Sequence, residues 1–389
     1  MKNLATRLIF SRYLCACTGV SMLLLLASYN PAYAQGSAQQ ALQDIRNHLI
    51  SKPAYIPNVK RLVPTHGTNI ATLTASLNEF NPDGSYKTAL PVITEAEKFN
   101  AGSKYDAHRD YLRDVKNIAV LYGYNTYYAG KIPAPHSGNT SYKTLVYESL
   151  KWYFANHGTP ISVYHETFNY HPYNNTTVGI LTYIGMLLFE DFHADRLTDT
   201  SIQGLFDDIL AYSHHMITDN PQTRGPNWAF RYGNCLRYVI FSNDPANMDT
   251  FIAVNDASLD FDVWADNGTD GVWPDWSLTH HGDENYWGMY GVSWLQNTLQ
   301  LANALKGTPW EYTDRQVRFL ETAIVEGLQW ILFHGNTELT TAPKRLTYFI
   351  ARTDVVAQQV VNQLEVLVNL HGDKLADRTQ IEYLIDSKI

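Results

Sequence analysis

Cysteine is close to absent from this chain. There are three in 389 residues, Cys15, Cys17 and Cys235. Only Cys235 lies beyond the N-terminal region, so no internal disulfide framework is available. A chain of this length buries enough apolar surface to fold without one. Charged side chains are sparse too, at 17%. No His-Glu-x-x-His occurs. The neighbouring pairs His214-His215 and His280-His281 cannot point together from one helical face. Asp266–Asp270 lacks the twelve-residue pattern of a calcium loop and reads as turn chemistry. The expectation is therefore no metal and no cofactor. Beyond the first 34 residues no apolar run reaches the roughly 20 residues of a membrane span. There is no low-complexity linker, no strand-rich block and no solenoid repeat.

The first 34 residues are predicted to be a signal peptide. Lys2, Arg7 and Arg12 form its basic end and Met22–Leu26 its densest apolar stretch. Ala32-Tyr33-Ala34 supplies the small residues before a cut, leaving Gln35 first. Cys15 and Cys17 would leave with it. A periplasmic or extracellular location follows, with no membrane contact after cleavage. The whole chain carries −9. Without those three basic residues the balance is 26 against 38, or −12, which argues against nucleic acid as a partner. Against this background, 26 tyrosines and 9 tryptophans are abundant. They suit a packed core and also platforms for sugar rings.

Helical periodicity runs through the chain: Ser37–Ile50, Tyr105–Tyr122, Tyr142–His157, Val178–Phe192, Ile202–Met216, Asn227–Phe241, Tyr286–Leu305, Asp314–Phe333 and Val355–Leu370. Val178–Phe192 is apolar all round and belongs inside. Residues 35–103 are predicted to be an irregular N-terminal segment packed on the body. The expected fold is all-α, with paired helices stacked about an axis in an α/α toroid, as one domain over 35–389. Cys235 falls in a helix and reads as buried packing.

Three segments concentrate side chains suited to chemistry. Asp270–Leu295 carries Trp273, Asp275, Trp276, His280, His281, Asn285, Tyr286, Trp287 and Tyr290, interspersed with Gly282, Gly288 and Gly291. A core helix does not need two histidines beside a glycine, whereas a cleft does. Arg224–Asn227 leads into a helix through Trp228 and Arg231, with Pro226 suited to a first turn. Asn227 would then either cap that helix or face an anion at its N-terminus. Tyr170–Gly179 holds Asn174 and Asn175 in a polar-aromatic loop.

The order Asn174-Asn175, then Gly225-Pro226-Asn227-Trp228, then Pro274-Asp275-Trp276-Ser277, His281-Gly282 and Tyr290-Gly291 resembles the helical half of polysaccharide lyase family eight. That family includes chondroitin AC, hyaluronate and xanthan lyases. Tyr290 follows His281 by nine residues, the family's spacing. The resemblance covers roughly residues 165–305. It implies Asn227, His281 and Tyr290 as catalytic, and Asn174, Asn175, Trp228, Arg231, Trp276, His280, Asn285, Tyr286 and Trp287 as contacts to an anionic polysaccharide. The family's Gly-Arg-x-x-x-Arg element has no strict counterpart. Arg345 and Arg352, at a different spacing, are the candidates. The family's C-terminal β-domains, and a glutamate they contribute, also lack a counterpart. In length the chain is more similar to family 38, single-domain lyases of alginate or glucuronan-type polymers.

The chemistry implied is β-elimination. Removing the C5 proton of a uronate pushes a second charge onto its carboxylate. A neutral amide such as that of Asn227, with an arginine, can stabilise that charge by about 2.7–4 kcal/mol per donor. A base takes the proton and an acid protonates the leaving oxygen. His281 and Tyr290 divide or share these roles, and the residues alone leave both assignments open. Two other classes stay in view: a glycoside hydrolase using Asp275, Asp283 or Glu284 as paired carboxylates, and a non-catalytic glycan-binding protein.

Overall fold

The computed structural model describes residues 35–51, 70–93, 102–127, 132–157, 177–218, 229, 231–262, 264–265, 270–279, 287–333, 336–337 and 353–387. Helices dominate. In chain order they are α1 Gln35–Ser51, α2 Ile70–Ala75, α3 Gly102–Tyr127, α4 Thr140–His157, α5 Val178–Leu187, α6 Phe189–Asp195 and α7 Thr200–Ser213. They continue with α8 His215–Thr218, α9 Tyr232–Ser242, α10 Pro245–Asp256, α11 Val292–Leu305, α12 Asp314–Thr322, α13 Thr353–His371 and α14 Arg378–Asp386. Two short antiparallel hairpins interrupt them: β1 Gly271–Val272 with β2 Leu278–Thr279, and β3 Leu332–Phe333 with β4 Asn336–Thr337.

The helices alternate between an inner and an outer layer. α3 packs on α5, α5 on α9, α9 on α11 and α11 on α13. The outer helices follow their inner partners: α4 lies on α3, α7 on α5 and α9, α10 on α9, and α14 on α13. α12 packs against the turn Ala257–Leu259 that ends α10. This is an α/α toroid. The sequence explains the layering. Every residue of α5 and of α9 is buried, as helices covered on all sides require. Outer α7 instead buries one stripe, Ile202, Leu205, Phe206, Ile209 and Tyr212. Inner neighbours also approach closely. A Cβ on Gly185 would lie 2.6 Å from the Phe241 ring, and one on Gly179 would lie 2.8 Å from Asn234 Oδ1.

Local chemistry sets the ends. Asp199 caps α7 by accepting from Ser201 N at 2.8 Å. Thr313 and Gln316 form a reciprocal capping box on α12. Asn243 ends α9 in the left-handed region at φ 54°.

Several elements differ from expectation. The Val178–Phe192 and Ile202–Met216 helices each break in two, at Leu188 and His214. Asp314–Phe333 is α-helical only to Thr322. It continues as a π-helical segment, Ala323–Gly327, then a 3-10 turn, Leu328–Ile331, then β3. α10 and α14 were not anticipated. The N-terminal region holds the short α2 and a 3-10 turn, Ser76–Glu79. Ser76 and Tyr86 both donate to Asp114 of α3, at 2.7 and 2.8 Å. Cys235 is fully buried and its thiol meets the Met216 carbonyl at 3.2 Å. Among the described residues no helix is long and apolar enough to cross a membrane.

Candidate active site

The site is built around the β1–β2 hairpin and the start of α11. Gly271 pairs with Thr279 and Val272 with Leu278. The strands are joined by Trp273-Pro274-Asp275-Trp276-Ser277. Trp273 N donates to Ser277 O at 2.9 Å and Trp276 N to Trp273 O at 2.8 Å. Asp275 Oδ1 accepts from Ser277 N at 3.0 Å and Ser277 Oγ at 2.7 Å. An Asp two residues before a Ser folds the tip back on itself in this way. The exposed Asp275 therefore shapes the loop. The Trp273 indole donates to Thr279 Oγ1 at 2.7 Å, bracing the tip on β2.

Trp276 adopts φ 63°, a left-handed conformation that a bulky side chain rarely takes. Its half-buried ring packs edge-on against Phe261, Trp264 and Phe319, with centroids 5.9, 5.1 and 5.5 Å away. Its carbonyl accepts a hydrogen bond from the Trp287 indole at 2.7 Å.

Trp287 opens a π-helical turn, Trp287–Gly291, that runs directly into α11. Tyr290 sits on this turn, half-buried, with its ring against the core. The turn also contacts β2 and the Leu328–Ile331 turn. A Cβ on Gly327 would fall 2.5 Å from the Trp276 carbonyl oxygen and 3.1 Å from the Trp287 indole nitrogen, so only glycine fits there.

The structure thus places Tyr290, Trp276 and Trp287 together, with Asp275 and Ser277 on the same hairpin. Trp287 is 1% exposed. Its apolar ring fills the core edge-on to Trp294, at 5.8 Å. Arg231, at the N-terminal end of α9, is also buried, at 8%. The catalytic candidates Asn227, His281, Arg345 and Arg352 lie outside the described residues, as do Asn174, Asn175, Trp228, His280, Asn285 and Tyr286. So do Asp283 and Glu284. Reading the sequence missed Phe261, Trp264, Phe319 and Gly327. The first two stand in Phe261–Trp264, just ahead of the motif, which was the available signal. Gly327 stands in an apolar helical pattern that carries none.

Residues 249–379 match the description polysaccharide lyase family 8, N terminal alpha-helical domain. Solved structures match over nearly the whole chain. Paenibacillus xanthan lyase superposes with a TM-score of 0.59 at 16% identity, covering 91% of this chain and 32% of that one.

The fold is of the polysaccharide lyase family 8 type.

A Streptomyces coelicolor A3 chondroitin AC lyase variant shares this family 8-type fold with a TM-score of 0.55 at 17% identity, covering 85% of this chain and 42% of that one. The same enzyme in complex with chondroitin sulphate matches at 0.52, with 15% identity and coverage of 90% and 48%. This chain therefore spans 32–48% of the length of these solved relatives. No curated protein sequence matches it. In the family 8-type toroid the β1–β2 hairpin and the turn bearing Tyr290 fall inside the matched 249–379 stretch.

Proposed function

We propose that the protein is a polysaccharide lyase that cleaves a uronic-acid polymer by β-elimination, leaving an unsaturated uronate end. One observation carries the reading. Tyr290, the tyrosine of the His281-Gly282…Tyr290-Gly291 pattern, is held half-buried on a distorted turn of a family 8-type toroid, beside the Pro-Asp-Trp-Ser hairpin.

In the reaction a base removes the C5 proton, the C4–O bond breaks and a C4=C5 double bond forms. The leaving oxygen takes a proton from an acid. Tyr290 supplies that proton. His281 or Tyr290 takes the C5 proton, according to which ring face bears it. Asn227, with Arg345 or Arg352, binds the carboxylate as its charge grows. A preorganised donor of this kind acts most strongly where charge develops.

Alginate and glucuronan stand first among substrates. Every sugar in them is a uronate, so any binding register presents a carboxylate to the site. Chondroitin and hyaluronan, with alternating uronates, come next. Export after cleavage at Ala34 belongs to the same reading, and N-terminal sequencing of the protein from a secreting host tests it.

The reading is tested on a panel of alginate, glucuronan, hyaluronan and chondroitin by ultraviolet absorbance of the new double bond. The native protein is expected to yield unsaturated product on at least one polymer, and folded Tyr290→Phe to lose at least about 10²-fold in rate. Reducing ends without ultraviolet absorbance would identify a hydrolase instead. A folded Tyr290→Phe at native rate would remove the tyrosine from the chemistry.

A further inference from the structure

Three departures from regular backbone meet at one point beside Tyr290. Trp276 holds a left-handed φ of 63°. Trp287–Gly291 is π-helical rather than α-helical. A second π-helical segment, Ala323–Gly327, ends with Gly327 against both. Such conformations are costly and persist only where their surroundings over-determine them. A hydrogen bond from the Trp287 indole N–H to the Trp276 carbonyl at 2.7 Å connects them. The left-handed residue aims that carbonyl, the buried ring of Trp287 reaches it, and the absent Cβ of Gly327 leaves room for the pair.

The geometry points to Trp287 as the positioning residue for Tyr290, acting through its hydrogen bond to Trp276 with Gly327 as the backstop. Tyr290 lies three residues along the same π turn. In a π turn the side chains are spaced differently around the axis than in an α turn. Relaxing Trp287–Gly291 to α-helix would therefore swing the Tyr290 hydroxyl away from its direction. The indole bond fixes the first residue of the turn and α11 fixes the last, so the wider turn is the one that fits between them. The assignment of a catalytic role to this positioning rests on the lyase reading above. The placement of Tyr290 itself does not.

Trp294 supplies a matched control. It is equally buried at 1%, lies edge-on to Trp287 at 5.8 Å, and its indole nitrogen has no hydrogen-bond partner among the described residues. Trp287→Phe, Gly327→Ala and Trp294→Phe are made in the full chain labelled with 3-fluorotyrosine, and Tyr290→Phe assigns the fluorine resonance of Tyr290. Trp287→Phe and Gly327→Ala are expected to move that resonance and to lower kcat on the order of 10²-fold, with KM changed by less than about threefold. Trp294→Phe is expected to leave the resonance in place and kcat within about twofold, although its Tm falls comparably.

An unmoved Tyr290 resonance in folded Trp287→Phe overturns the inference. So does an equal displacement in Trp294→Phe, which would mark general loosening of the core. If Trp287→Phe does not fold, Gly327→Ala is judged by the same criteria. If the native protein gives unsaturated product on no polymer, the lyase reading fails while the fluorine spectra still decide the positioning.

Discussion

Residue by residue, the interior holds ionisable groups whose cost is visible in their surroundings. His371 is fully buried, and neither ring nitrogen has a hydrogen-bond partner among the described residues. Burial, reinforced by Lys306 and Lys374 and opposed by Glu311 and Asp373, pulls it from 6.5 to about 4. Asp256 goes the other way. Burial lifts it from 3.8 to about 6 against a hydrogen bond from Gln316. The signs oppose each other. Between pH 6.5 and 4 the unfolded chain binds a proton at His371 that the folded chain refuses, so that contribution is full above 6.5 and is lost as pH falls. Between 3.8 and 6 the folded chain keeps a proton at Asp256 that the unfolded chain releases, so that contribution is full below 3.8 and is lost as pH rises. Each amounts to up to about 3 kcal/mol. Stability of the native protein is therefore expected to vary little from these two groups between pH 4.5 and 6. His371→Leu is expected to make stability fall with rising pH there, and Asp256→Asn to make it rise, both read from urea denaturation at pH 4.5 and 6. Equal slopes in the two variants would refute this pairing. Arg237 is a second case. It is fully buried, with Nη2 on Asn234 Oδ1 and with Nε and Nη1 unpaired among the described residues. An uncompensated buried cation is expensive, so Arg237→Met is expected to be neutral or stabilising by about 1–4 kcal/mol in the same assay. None of these states was legible in the sequence. A histidine seven residues after Leu364, or an arginine in an apolar helix, looks the same buried or exposed until its neighbours are known.

The elements show which local signals carry through. Gly185 in α5 and Gly204 in α7 look alike in sequence. A Cβ on Gly185 would run into Phe241, whereas one on Gly204 meets nothing within 4 Å. Gly185→Ala is expected to cost about 1–3 kcal/mol by overpacking. Gly204→Ala is expected to stabilise by roughly 0.5–1 kcal/mol through helix propensity. Thermal melts of both variants check this, and a shift of the same sign in each would deny the close approach of α5 and α9. Thr313→Ala, which removes the capping box of α12, is expected to cost about 1 kcal/mol. Inner α5 was readable because burial on every side leaves a nearly unbroken apolar run. Outer α10 was missed because Asn247, Asp249, Asn255 and Asp256 give it the composition of a link. Its start was nevertheless written in the chain: Asp244 accepts from Ala246 N at 3.0 Å and Pro245 takes the first helical position. The π segments carry no signal at all, because packing against Trp276 and Trp287 creates them.

Across the whole molecule the N-terminal helix joins distant parts of the ring. α1 packs on α9, α10 and α11. Gln39 Nε2 donates to the Asn243 backbone oxygen at 3.2 Å and to its side-chain oxygen at 2.5 Å, and Arg46 pairs with Glu190 at 2.7 Å beneath a largely exposed carboxylate. The exposed side of that ion pair limits its worth to about 0–1 kcal/mol. The apolar stripe Leu42, Ile45 and Leu49, at 2%, 1% and 0% exposure, contributes most of the attachment. Ile45→Ala is expected to cost about 2–5 kcal/mol. Its loss is expected in a single transition of far- and near-ultraviolet circular dichroism. An early separate melt would show that α1 is a peripheral attachment.

The amino-acid order by itself determined the helical class, the inward assignment of Val178–Leu187, the burial of Cys235 and the grouping of Trp276, Trp287 and Tyr290. Each of these depends on periodicity or spacing within one stretch of chain. Only the tertiary structure decided that Trp287 is enclosed, that Trp276 is left-handed, that Gly327 must lack a side chain and that α1 closes on α9. Those outcomes depend on atoms contributed by segments tens to hundreds of residues apart, and steric exclusion between such segments leaves no periodic trace in either of them.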